Sequence, residues 1–252
     1  MTQATVNGIQ LQFGDTAADG GPDSGADEVV LLVHGAFSAG AMLAPVADAL
    51  RARDRVITPD LRGWGGSAHV DFVQPEQWRD DLIALMDHLG VRRFHVGGTS
   101  LGARVAARLA FDFPDRVVSL VSDWTLLRAD AAADTALNTA IAGFDAARRE
   151  QMRRLHGDDW EQVAAAYYAY RATDEFQDFF DVRAMTSQLR CPVFITRGDA
   201  LDVLHPLAHT IELHTSEVRS ALWVCPDCPG SAMMTHPAEF ARQYWQYRAA
   251  TA

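Results

Sequence analysis

Gly98-Thr99-Ser100-Leu101-Gly102 sets a serine between glycines, and the segments on either side decide what that arrangement can mean. Before it, Phe94–Gly97 is a short apolar run ending in glycine. After it, Leu101–Phe111 has a helical period, with Pro114 just beyond. A strand that turns into a helix within so few residues needs a strained backbone, and small flanking residues are what allow the tight bend. The serine is then held at the end of a sheet, and the N–H of Leu101, at a helix N-terminus, can face a developing oxyanion. A glycine-rich turn with an incidental serine is the bland alternative, and the strand before and helix after speak against it.

The rest of the chain supplies a sheet for that turn to belong to. Val6–Phe13 alternates as a strand should, Thr16–Asp27 is small, polar and glycine-rich and reads as a loop, and Val29–Val33 is an apolar run. Arg55–Pro59 and Val117–Val121 read as further strands, and Trp78–Leu89 as a helix. After Asp123 the rhythm changes: residues 129–184 carry only helical patterns, with aromatic clusters at Tyr167, Tyr168, Tyr170 and at Phe176, Phe179, Phe180. Strand-like runs return at Pro192–Thr196 and Ala221–Val224, and a helix over Ala238–Ala249 closes the chain. Strands alternating with helices predict an α/β fold with a mostly parallel sheet covered on both faces. The expected division is a core of residues 1–124 and 190–252, with 125–189 as a helical lid over the sheet edge where such folds bind ligands.

Composition narrows the chemistry. The chain has 252 residues and a formal net charge of −11, and all 22 of its basic residues are arginine. Without lysine, Schiff-base and lysine-base mechanisms are excluded. Nucleic acid is not an expected partner, because binding it requires a basic surface. No apolar run reaches the roughly 20 residues that span a bilayer, and Met1–Gly14 shows no signal-peptide pattern. Three cysteines make no disulfide framework, which fits a reducing cytoplasm. A small molecule is the expected partner, with no cofactor, membrane or metal. Cys225-Pro226-Asp227-Cys228 has metal-ligand spacing but no second C-x-x-C or H-x₃-H partner in the sequence, although its cysteines could line the pocket. His95 alternates within a strand and reads as a core histidine.

Two more segments complete a pattern. Val29–Val33 runs into His34-Gly35, and Asp60-Leu61-Arg62-Gly63-Trp64-Gly65-Gly66-Ser67 follows the next strand. With the serine turn, these make the chain resemble the α/β-hydrolase family, strongly over Val29–Val121 and in outline over Arg190–Tyr247. The resemblance implies a doubly covered sheet, a nucleophile at Ser100, and an oxyanion hole from the N–H groups of Leu101 and Ala36. His34 reads first as a structural histidine and is kept, with Trp124, among the candidate substrate-contacting residues.

The acid and the base are harder to place. Family order is serine, acid, histidine. The acid usually follows the strand at Pro192–Thr196, where Asp199 and Asp202 lie; a minority of the family places it one strand earlier, at the position of Asp123. The Asp123-Trp124 pair is similar to that of cofactor-independent quinolone dioxygenases, and Asp123 is favoured because a buried strand delivers it to the sheet edge. For the histidine, counting back from Pro237 puts Gly230 at the expected position, or Ala232 with a shorter loop, and neither can take a proton. His236 opens the last helix and should point away, while His205 could approach from the loop after Pro192–Thr196.

The expectation is therefore an α/β-hydrolase-fold enzyme for a small, largely apolar or aromatic carbonyl or enolate substrate, with Ser100 and Asp123 as its catalytic residues. No histidine should lie within hydrogen-bond reach of Ser100, so hydrolysis should be crippled. Non-hydrolytic, dioxygenase-like chemistry, a hydrolase whose histidine was replaced at 230 or 232, and a non-catalytic binding protein on the same scaffold stay open beside one another.

Overall fold

In the computed structural model, residues 1–17, 28–70, 73–216 and 218–251 are described. Most of the loop expected over Thr16–Asp27 lies outside them. The N-terminal segment is a hairpin and not the single strand expected over Val6–Phe13: β1 (Thr2–Val6) and β2 (Ile9–Asp15) pair antiparallel around Asn7-Gly8. Both turn residues have positive φ, 47° and 77°, the left-handed pair that a two-residue hairpin requires and Asn-Gly supplies.

Six further strands follow: β3 (Val29–Val33), β4 (Arg55–Pro59), β5 (Phe94–Thr99), β6 (Val117–Asp123), β7 (Val193–Gly198) and β8 (Ser220–Cys225). The sheet order is β1-β2-β4-β3-β5-β6-β7-β8, parallel from β4 onward. Helices α1 (Ala44–Leu50), α2 (Pro75–His88) and α3 (Leu101–Asp112) connect the first of these strands. Helices α4 (Ala131–Ala142), α5 (Ala146–His156), α6 (Trp160–Arg171), α7 (Asp174–Phe179) and α8 (Val182–Thr186) lie between β6 and β7. Beyond β7 come α9 (Leu207–Thr215), α10 (Ala232–Thr235) and α11 (Pro237–Thr251).

Burial follows from the all-apolar strands. Every residue of β3 is buried, because helices cover both faces of a parallel sheet. One core cluster joins sheet residues such as Leu31 and Val33 to α2, α3 and the aromatic residues of the inserted helices; a second packs Leu32 and Phe194 against Phe240 and Tyr244 of α11. The inserted helices are pinned by polar contacts too. The N–H of Gly65 donates to Nδ1 of buried His156 at 2.9 Å, and the N–H of Val182 donates to the Leu127 carbonyl at 3.0 Å.

The start of α3 packs on β3 with no room for a side chain. A Cβ on Gly102 would lie 2.1 Å from the Val33 carbonyl oxygen, and one on Gly98 would lie 2.2 Å from the carbonyl carbon of Gly102. Backbone, not a flexible side chain, is the obstacle. Gly102→Ala should therefore lower stability by about 1–3 kcal/mol, read as a fall in the denaturant midpoint at unchanged m-value. An unchanged midpoint would mean that the helix start can move away from β3.

Candidate active site

Ser100 lies between β5 and α3 at φ 55°, ψ −117°, a strained conformation for a residue with a Cβ. Its N–H donates to the Asp123 carbonyl at 3.1 Å, and its carbonyl accepts from Ala103 at 3.1 Å, so both strand and helix fix it. The side chain faces a pocket of about 790 Å³, part of it open to solvent, bordered by Ala36, Leu101, Trp124 and residues of α4, α5 and α6. Ala36 and Leu101, the two residues that the family resemblance gives as oxyanion donors, both border it. Leu101 is the first residue of α3, and its N–H has no carbonyl one turn earlier to bond.

A histidine does reach Ser100. Nε2 of His205 lies 2.8 Å from Ser100 Oγ, and Nδ1 of the same ring lies 2.7 Å from Oδ2 of Asp202. The expectation that no histidine would come within reach is corrected. The base position is filled from the loop after β7, not from the loop after β8. With Nδ1–H donating to Asp202, Nε2 is left as the acceptor for the serine proton. Burial holds the His205 pKa below its usual 6.5, and the Asp202 carboxylate only partly offsets this. Burial alone would raise the Asp202 pKa, but His205 and the Leu204 N–H, which donates at 2.8 Å, bring it below the ordinary carboxylate value.

Three features hold this loop. The buried guanidinium of Arg197, on β7, donates to the carbonyls of Gly198 and Ala200, both at 2.7 Å, and to that of His205 at 3.3 Å. Trp124 stacks on the His205 ring, with centroids 3.8 Å apart and an interplanar angle of 28°. Trp124 is itself in the left-handed region, φ 50°, with its N–H donating to the Thr196 carbonyl at 2.8 Å. Asp199 faces the other way: its carboxylate accepts from the N–H groups of Asp227 and Cys228 at 3.0 and 3.1 Å.

Asp123 is fully buried at the end of β6, as its position on the strand implies, but its carboxylate is occupied elsewhere. It accepts from Thr196 Oγ1 at 2.7 Å, the N–H of Ala232 at 3.1 Å and the hydroxyl of Ser231. Burial raises its pKa against these hydrogen bonds. It binds the loop after β8 and touches neither nitrogen of His205, so the assignment of Asp123 as the catalytic acid gives way to Asp202. His34 is corrected as well. It is completely buried, its Nε2 accepts from the Leu61 N–H at 3.0 Å and its Nδ1 lies 2.7 Å from the Gly35 carbonyl, so it ties two loops and does not border the pocket. Trp124 does border the pocket.

Gly230 explains why the expected histidine position is empty of one. A Cβ there would lie 3.2–3.4 Å from three atoms of the Trp124 ring. The indole stands against that position, and a side chain at 230 would require it to give by a few tenths of an ångström. Ala232 is fully buried in a cluster with Cys225 and Cys228. His95 bonds Ser119 at 2.7 Å and is a core residue, as its place in the strand suggests.

Comparison with known proteins identifies the family. The family model described as the alpha/beta hydrolase fold matches residues 28–188, and the chain belongs to that family. A protein of Caulobacter sp. (strain K31) assigned by name to carbamate hydrolysis, RutD, is 28% identical over 264 residues, covering 95% of each chain. Among solved structures, a thermophilic esterase from Thermogutta terrifontis superposes with a TM-score of 0.75 at 23% identity, covering 100% of this chain and 98% of the other. The enol-lactonase from Burkholderia xenovorans LB400 superposes at 0.76 with 20% identity, covering 98% and 100%. These structural likenesses carry the fold.

The two aspartates should separate cleanly by mutation. Asp202→Asn should lower turnover of an activated ester by about 10⁴-fold, by spoiling the histidine tautomer, with little change in thermal midpoint. Asp123→Asn should instead cost about 1–3 kcal/mol of stability, from donors left unsatisfied, and leave turnover within about tenfold, well short of the loss at Asp202. The reverse pattern would return the acid to Asp123.

Proposed function

We propose that this protein is a serine hydrolase that cleaves small acyl compounds, esters or lactones, carrying a carboxylate. The observation that supports it most is the unbroken hydrogen-bonded line from Asp202 through His205 to Ser100 Oγ. Asp202 holds the imidazole in the tautomer that accepts a proton. His205 takes the proton as Ser100 attacks the carbonyl and returns it to the leaving group. The N–H groups of Ala36 and Leu101 receive the oxyanion, where fixed donors in a water-poor site are worth most. Water then releases the acyl group by the same route. With a base in place, non-hydrolytic chemistry, an inactivated hydrolase and a binding scaffold lose the observation that favoured them. Helices α4–α6 act as the lid that walls the pocket.

Arg104 points to the charge of the substrate. It lies one turn along α3 from Ser100, borders the pocket and is 1% exposed. Its Nε donates to the Phe180 carbonyl at 3.0 Å and its Nη2 to Gln177 Oε1 at 3.1 Å, both neutral acceptors. Burial lowers its pKa to about 10, so it stays charged at neutral pH. Among the described residues its hydrogen bonds go to neutral acceptors, with the rings of Phe176 and Phe180 against the guanidinium; burying a cation without a counter-charge is costly, and a substrate carboxylate would relieve that cost. Phe37, Leu137, Ile141 and Phe144 line much of the rest, beside Arg148 and Arg171, and suit an apolar body.

The test is steady-state hydrolysis of matched aryl esters and lactones, each with and without a terminal carboxylate. Turnover should vanish in Ser100→Ala and fall about 10⁶-fold in His205→Ala. Arg104→Met should raise KM for the carboxylate members by about tenfold or more and leave the neutral members nearly unchanged. Turnover that survives Ser100→Ala would reject the mechanism, and equal effects of Arg104→Met on both series would reject the substrate class.

A further inference from the structure

Outside the active site, three metal-ligating side chains meet at the end of β8. Cys225 ends the strand, Cys228 follows in the turn, and His236 sits at the junction of α10 and α11. Their ligand atoms, one per residue, all lie within 4.8 Å of one another. His236 was expected to point away from the active site and had no place in a C-x-x-C reading. The short α10 folds back so that its ring meets the two thiols, and the sequence separation of Cys228 and His236 matches none of the common ligand spacings.

We propose that Cys225, Cys228 and His236 form a binding site for a thiophilic divalent cation of the zinc class. Two sulfurs and an imidazole nitrogen are the donor set such ions take, and tetrahedral bond lengths of about 2.3 Å to sulfur and 2.0 Å to nitrogen imply ligand atoms about 3.5–3.8 Å apart. The observed cluster needs only a small contraction to reach that spacing. A second observation stands apart from the distances. Nε2 of His236 is buried and has no hydrogen-bond partner among the described residues, an arrangement that costs free energy unless something fills it. Among the described residues the contacts of the thiols to carbonyls, those of Pro226, Gly230 and Ser231, are long, 3.6–3.8 Å, and the two thiols also hydrogen-bond to each other. The turn is also built before any ion arrives: Asp199 accepts from the N–H groups of Asp227 and Cys228, and Asp227 takes φ 54°. With three protein ligands, a water or other small ligand completes the tetrahedron.

The site would fasten the loop that leans on the catalytic histidine. Gly230, two residues past Cys228, packs against Trp124, and Trp124 stacks on His205. Ser231 and the N–H of Ala232 hold Asp123. A bound cation ties Cys225 and Cys228 to the head of α11 across this loop, so its role is to position and not to touch substrate.

The probe is cobalt(II) added to the full chain, stripped of metal and kept reduced. One equivalent should produce thiolate-to-cobalt charge-transfer absorption and the intense visible bands of a tetrahedral ion, both abolished by zinc. Cys225→Ser, Cys228→Ser and His236→Gln should each weaken uptake by more than about 100-fold. Zinc should raise the melting temperature of the wild type and not of the variants. If a variant fails to fold, alkylation of the two thiols in the native chain, slowed by zinc, reads the same contact. Absence of the absorption, uptake indifferent to all three variants, or a Cys225–Cys228 disulfide with no metal uptake by the reduced chain would overturn the proposal.

Discussion

Arg197 holds the loop on which the site depends. Its guanidinium is buried at the end of β7 and donates to three backbone carbonyls of the chain from Gly198 to His205. A loop rich in carbonyls at a sheet edge would otherwise carry unsatisfied acceptors. One planar cation satisfies several at once and fixes their relative positions. The consequence is that Asp202 and His205, three residues apart on one loop, arrive together at Ser100 with hydrogen-bond geometry already made. In the proposed mechanism acid and base then share one support, whereas the family's usual arrangement draws them from two.

The indole of Trp124 is the second support. It fills the space beside Gly230 and lies flat on the imidazole, so His205 has a wall on the side where it could swing away from Ser100. Aromatic stacking of this kind contributes about 0.5–1.5 kcal/mol beyond area burial, a bias of about two- to tenfold toward one rotamer. Asp123 serves the same end indirectly. By gathering Thr196, Ser231 and the Ala232 N–H it closes the loop after β8 over the tryptophan. The carboxylate that looked catalytic anchors the scaffold around Asp202 and His205.

How much of this was legible in the sequence differs by residue. The turn at Ser100 could be read because its chemistry is local: small residues, a strand before and a helix after, all within reach of one window. The parallel sheet could be read for the same reason, since strands such as Val29–Val33 are apolar throughout and set off by helical periods. The hairpin at Asn7-Gly8 carried a plain turn signal that alternation over Val6–Phe13 masked. His205 was reachable only as a possibility. Its partner Asp202 lies at nearly the usual acid position, but the base keeps the family order while sitting in the acid's own loop and not after the next strand, and nothing in local pattern says that Arg197 folds the loop back. Asp123 misled because a strand end fixes where a carboxylate sits and not which donors it finds. His236 was missed because the fold of α10, a long-range matter, brings it to the cysteines.

The central claim is that His205 activates Ser100. Labelling of Ser100 by a fluorophosphonate reports that activation without a choice of substrate. Since burial holds the His205 pKa below 6.5, and only the neutral ring accepts the proton, the second-order rate constant should be flat above pH 6.5 and fall tenfold per pH unit on the acid side of that pKa. In His205→Gln the plateau should drop by several orders of magnitude. A rate constant that rises in proportion to hydroxide through neutral pH in the wild type, or that is unchanged in His205→Gln, would contradict the account.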